Sequence, residues 1–127
     1  MRDVKRYTRH TIRVQPERHE AARERSSAIF NNRFFADVVL AVDRLSAPDD
    51  AFVTTRMIAS ETMLSDSLVR PVMLRLRTAG LITALPRAGG PRSTLYYQVR
   101  RGPLWTGVQA ACVASIVEDE TAPTTGS

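Results

Sequence analysis

Between Ser65 and Ile82 the chain reads SDSLVRPVMLRLRTAGLI, and few folds accept that order of residues. Ser65 followed by Asp66 marks a helix start, because a short side-chain oxygen can accept from amides that lack a partner within the helix, and a carboxylate is favoured at the positive end. Val69, Val72, Met73 and Leu76 recur at helical spacing and make one apolar stripe. That leaves Ser67, Arg70, Pro71, Leu74 and Thr78 on the opposite side, flanked by Arg75 and Arg77. Pro71 has no amide for the Ser67 carbonyl and is expected to bend the helix. Gly80 can adopt the left-handed conformation that stops a helix, after which Leu81 folds back on Leu76. The segment predicts a helix over 65–79, anchored along its inner face and carrying arginine outside.

The flanking sequence restricts the fold further. LITAL and STLYYQV are short β-rich runs separated by PRAGGPR, whose glycines and prolines suit a hairpin tip and whose shoulders are Arg87 and Arg92. Alternation turns Leu95, Tyr97 and Val99 toward the core and Thr94, Tyr96 and Gln98 outward. Upstream, TTRMIASET reads as a short helix capped by Thr54 or Thr55, with Met57, Ile58 and Ala59 inward and a tight turn after it. Before that, RFFADVVLAVDRLSAPDD sets Phe30, Phe34, Val38, Ala41, Val42 and Leu45 on one helical face with Phe35 and Val39 beside it, too wide for a surface helix and suited to a central scaffold. A further helix begins at Pro16 and meets a break at Asn31 and Asn32.

Helix, turn, capped helix, glycine stop and arginine-shouldered hairpin, in that order, resemble the winged helix-turn-helix of bacterial transcription regulators such as the MarR and ArsR groups. The resemblance covers roughly 52–99 and implies a mainly α fold with a small β-hairpin wing and extra N- and C-terminal helices. It also implies that helix 65–79 enters a DNA major groove and that wing 81–99 clamps a minor groove or phosphate chain. Carried over by position, Ser65, Ser67 and Arg70 stand at the reading end, with Arg75 further along. Thr55 and Arg56 become backbone contacts, and Arg87 and Arg92 wing contacts. The function implied is sequence-specific double-stranded DNA binding by a dimeric repressor. The competing reading is a winged helix used for protein contact, architecture or replication, since fold alone does not fix function.

Charge agrees with a nucleic-acid partner. The chain carries a net +5, and all of its basic residues except Lys5 are arginine. Residues 1–25 hold eight Lys or Arg against four acids and residues 65–101 seven against one, whereas 26–64 and 102–127 are net acidic. Basic blocks of this kind suit phosphate binding through counterion release, and charge alone equally allows an ordinary solvated surface. The first block opens with an arm, 1–15, expected to order only against a partner. One domain over 16–117 follows, and 118–127 reads as a polar, acidic, disordered tail.

Cys112 is the only cysteine, and the two histidines, His10 and His19, lie far from it in sequence, so no metal or cofactor is expected. No nucleophile elbow, phosphate-binding loop or metal-ligand spacing speaks for an enzyme. The absence of a long apolar run or a leader-like N-terminus predicts a cytoplasmic protein without a membrane partner. The last helix, GPLWTGVQAACVASIV, has a stripe of Leu104, Trp105, Val108, Ala111, Cys112 and Ile116, which makes Cys112 a buried structural thiol. This helix and the one near Ala21 flank the winged unit, and their stripes are expected to build a homodimer. A ligand pocket, for an effector the sequence does not name, would lie between the Phe34 helix and the terminal helices.

Overall fold

The computed structural model describes residues 16–86, 89–90 and 93–126. The arm 1–15 lies outside the described residues, as do Arg87 and Arg92. The chain is mainly helical with one small antiparallel sheet. Helix α1 is Pro16–Phe30, α2 is Phe35–Ser46, a single 3-10 turn covers Pro48–Asp50, α3 is Thr55–Thr62 and α4 is Asp66–Thr78. Strands β1, Ile82–Ala84, and β2, Tyr97–Val99, follow, and α5 is Pro103–Gly126.

The break after α1 has a local cause. Asn31 takes a left-handed conformation, φ 60°, which few side chains tolerate as well as asparagine. The Asn32 side chain then accepts from the Phe34 amide at 2.8 Å, and its carbonyl accepts from Ser26 Oγ at 2.7 Å. The chain leaves this turn as α2, whose Val38, Val39, Ala41 and Val42 have no solvent exposure at all. A helix buried that completely is enclosed on several sides, and α1, α3, α4, β2 and α5 all pack on it. It is the scaffold that the wide apolar face predicts. Phe30, Phe34 and Leu45 at the ends of that face are half-buried; Phe34 lies beneath the guanidinium groups of Arg23 and Arg33, at 5.0 and 5.6 Å from its ring centroid, and Phe35 is buried instead.

Helix α3 is capped by Thr54, whose side chain accepts from the Met57 amide at 3.1 Å. The helix ends at Met63, a non-glycine residue at φ 64°, so the link to α4 is a turn of only three residues, 63–65. The inner stripe of α4 is as the spacing requires: Val69, Val72 and Met73 are fully buried and Leu76 nearly so. The helix continues through Pro71 without interruption. At its end Gly80 is left-handed, φ 79°, the Gly80 amide donates to the Arg77 carbonyl at 3.0 Å, and the Leu81 amide donates to the Leu76 carbonyl at 2.9 Å. This pair of bonds, with Leu81 buried against the end of the stripe, is a Schellman stop.

The sheet register pairs Ile82 with Val99, Thr83 with Gln98 and Ala84 with Tyr97. Tyr97 and Val99 are buried and Tyr96 is exposed, which is the alternation expected of a strand with one face on the core. A further pairing had no signal in the sequence: Val53 and Tyr97 exchange both backbone hydrogen bonds, at 3.0 and 2.8 Å. One residue cannot display a period.

Helix α5 lies against α2 and α1, and its phase corrects the sequence reading. Trp105, Cys112 and Ile116 are buried, whereas Leu104, expected inward, is 59% exposed and Ala111 is exposed too. The Trp105 ring fixes that rotation through a hydrogen bond from its Nε1 to Asp43 at 2.8 Å. The backbone stays helical through 118–126, the stretch expected to be a disordered tail. Among the described residues no buried side-chain oxygen or nitrogen lacks a hydrogen-bond partner.

Candidate nucleic-acid interface

With its inner stripe locked in the core, α4 presents its other side to solvent. Ser67, Arg70, Pro71, Leu74 and Thr78 are all exposed, in agreement with the helical phase read from the sequence. Arg70 and Arg77 stand seven residues apart, two turns along one side of the helix. Among the described residues neither has a hydrogen bond or ion pair. A guanidinium without a partner keeps all five donors for an external acceptor.

The beginning of α4 departs from the simple expectation. Ser65 occupies the N-cap position, but its side chain caps nothing: its Oγ lies 3.0 Å from Ser67 Oγ, with either hydroxyl able to donate. The two serines therefore form one exposed hydroxyl pair at the first turn. Pro71 contributes indirectly, because it offers no amide to the Ser67 carbonyl four residues earlier. Arg56, on the outer side of α3, is exposed without a partner among the described residues, and Thr55 beside it is half-buried. Met57, expected inward, is 37% exposed. Helix α3 has only eight residues and buries only Ile58 and Ala59, so its apolar stripe is narrower than three consecutive apolar residues suggest.

Arg75 behaves differently from its neighbours. Its Nη1 donates to the Phe30 carbonyl at 2.8 Å, where α1 ends and helical carbonyls lack partners. A residue read as a DNA contact is thus a clamp between α4 and α1. Arg101, counted in the same basic block, is likewise engaged within the chain: it donates to Asp43 at 2.8 Å and to Ser46 Oγ at 2.9 Å, and lies 3.5 Å from Asp50. The charge total of the block overstates what is available to a ligand. Of the eight residues singled out in the sequence, Ser65, Ser67 and Arg70 come together on one face, Thr55 and Arg56 stand on the preceding helix, Arg75 is occupied, and Arg87 and Arg92 lie outside the described residues. Arg77, which the sequence places beside that face with Arg75, is the residue that joins Arg70 at seven-residue spacing.

A cleft of about 410 Å³ opens where α1, α2, α5 and the turn before α4 converge. Leu40 and Ile116 line its apolar part, and the Arg23–Asp37 and Arg44–Glu61 ion pairs, 3.1 and 3.0 Å, line its polar part. Its position between the Phe34-bearing segment and the terminal helices is where a pocket was expected. Cys112, fully buried close by, has its thiol pushed up to about 12 by burial and, to a smaller extent, by the negative charge of Asp37. A thiol held protonated at neutral pH is a packing element and a poor nucleophile. Among the described residues no three His, Cys, Asp or Glu side chains gather as a metal site, and no helix is long and apolar enough to cross a membrane.

No protein-family model, no curated protein and no solved structure matches this chain.

Proposed function

We propose that the chain is a sequence-specific double-stranded DNA-binding regulator of transcription, built as a winged helix and acting as a dimeric repressor in the cytoplasm. The observation that carries the reading is the outer face of α4. An exposed Ser65–Ser67 hydroxyl pair at its start is followed by two arginines without internal partners, Arg70 and Arg77, on a helix whose inner face is packed in the core. In this reading the first turns of α4 meet base edges in the major groove, Arg70 makes the forked contact to guanine O6 and N7, and Arg56 holds phosphate. The hairpin carrying Arg87 and Arg92 clamps alongside. The function is binding and occlusion, with no catalytic step.

The stripe expected to build the dimer is buried within the chain itself at Trp105, Cys112 and Ile116, so dimerisation is proposed through the opposite face of α5. From Pro103 to Val117 this helix has no charged residue, and Thr106, Gly107, Ala110, Ala111 and Ala114 are exposed on it. A solvated helix face normally carries charge. Two such faces can approach closely without repulsion, and a two-fold dimer suits a pseudo-palindromic site.

Titration with mixed genomic duplex DNA at two salt concentrations tests the proposal. Binding at low salt that weakens steeply at high salt supports it. Undetectable binding at low salt would overturn it in favour of a protein-docking module.

A further inference from the structure

The centre of the α4 outer face is apolar. Leu74 is 60% exposed, and the exposed Pro71 ring lies one turn before it, with Ser67, Arg70, Arg77 and Thr78 around the two. Leu68 is exposed as well; it lies about 120° from Leu74 but only about 60° from Pro71 around the helix, at the margin of the patch. Three side chains still fall far short of the roughly 800 Å² per partner that a stable protein interface buries. The central two are the right scale for a few methyl groups. The major groove presents one such group at every thymine, the C5 methyl, beside the hydrogen-bonding edges that distinguish the bases.

We infer that Leu74, backed by Pro71, is a specificity-determining residue that reads a thymine methyl in the major groove; this rests on the DNA-binding reading above. The charge of the surrounding surface favours nucleic acid over a protein partner, since the unpaired Arg70 and Arg77 border the patch and Asp66 is the only acid on the helix. Four residues separate Arg70 from Leu74, about 6 Å along the axis, or roughly two base steps. The preferred site therefore contains a thymine within about two steps of the guanine that Arg70 contacts.

The test begins with the full-length chain selecting its preferred duplex from a random pool. Each thymine of that duplex is then replaced, one at a time, by deoxyuridine, which removes the methyl and nothing else. One replacement in each half-site weakens binding about fourfold, the worth of one buried methyl-sized group. In the dimer Leu74→Ala removes the contact from both half-sites, so it weakens binding to the thymine duplex about fifteenfold, as much as deoxyuridine in both half-sites, and is weakened no further by deoxyuridine, whereas Leu74→Met retains the preference. A duplex that stays bound with every thymine replaced overturns the role of Leu74 and leaves the DNA reading standing. Failure to bind any duplex at low salt overturns both. A Leu74→Ala variant that binds DNA normally but changes its mass in solution assigns the residue to a protein contact and also overturns the inference.

Discussion

Two regions of this molecule carry arginine and treat it in opposite ways. At the corner where α2, the 3-10 turn and α5 meet, Arg101 is held by Asp43, Ser46 and Asp50, lies 5.9 Å from the Trp105 ring centroid, and shares Asp43 Oδ1 with the Trp105 Nε1 donor. On the outer face of α4, Arg70 and Arg77 have no such partners among the described residues. The first arrangement uses an ion to orient packed elements. The second spends nothing on the fold and leaves the donors for something else. Arginine content therefore says little until each guanidinium is followed to its acceptor.

The sharpest way to break the contrast is to remove the ring that the Asp43 corner organises. Trp105 is 2% exposed, so Trp105→Ala should destabilise the chain by about 3 to 5 kcal/mol, measured by chemical denaturation. A loss below about 1 kcal/mol would mean the corner is far looser than its geometry.

Next come single substitutions on each side. Asp43→Ala leaves the Trp105 Nε1 donor without its acceptor and should cost about 1 to 3 kcal/mol of stability. Arg70→Ala should leave stability within about 0.5 kcal/mol of the parent. The same Arg70 change should cost about 1 to 3 kcal/mol of affinity on the preferred duplex and flatten the preference between sites. Equal losses on every sequence would make Arg70 a phosphate contact.

The buried thiol gives a pH test. Its ordinary value of 9.0 is raised to about 12 in the folded chain, so the unfolded chain releases the proton first as pH rises. Below pH 9 the thiol is protonated in both states and its contribution is intact. Between about 9 and 12 stability should fall by up to about 1.4 kcal/mol per pH unit from this group. Cys112→Ser removes that component, so a parent and variant with parallel stability curves over this range would refute the buried assignment.

The smallest contrast separates two cap positions. Thr54→Ala loses a formed cap bond and should cost about 1 kcal/mol, whereas Ser65→Ala, whose hydroxyl caps nothing, should change stability by less than about 0.5 kcal/mol. Thermal melts of the two variants distinguish them.

The features legible in the sequence were those decided within one turn of the chain. A threonine cap at Thr54 or Thr55, the inner stripe of α4, and Gly80 with Leu81 all depend on neighbours no more than five residues away. The features that misled depend on distant partners. Arg75 looks like its neighbours on α4 until the Phe30 carbonyl is placed beside it, 45 positions earlier. Leu104 belongs to an inward stripe by spacing alone, and only the bond from Trp105 to Asp43, 62 positions away, sets the rotation of α5 that turns it outward. The outer face of α4 was readable because it is what remains after a local stripe is buried. Which of its arginines are free was not.

The Schellman stop also governs how force would travel. Leu81 is held at its amide by the Leu76 carbonyl, and its own carbonyl accepts from the Arg100 amide at 2.9 Å. One residue thus belongs to the last turn of α4 and to the root of the hairpin at once. The joint between helix and hairpin is therefore a single residue bonded on both sides, so a displacement of the hairpin root bears directly on the end of α4. An insertion after Gly80 is expected to break one of the two bonds and uncouple the two parts.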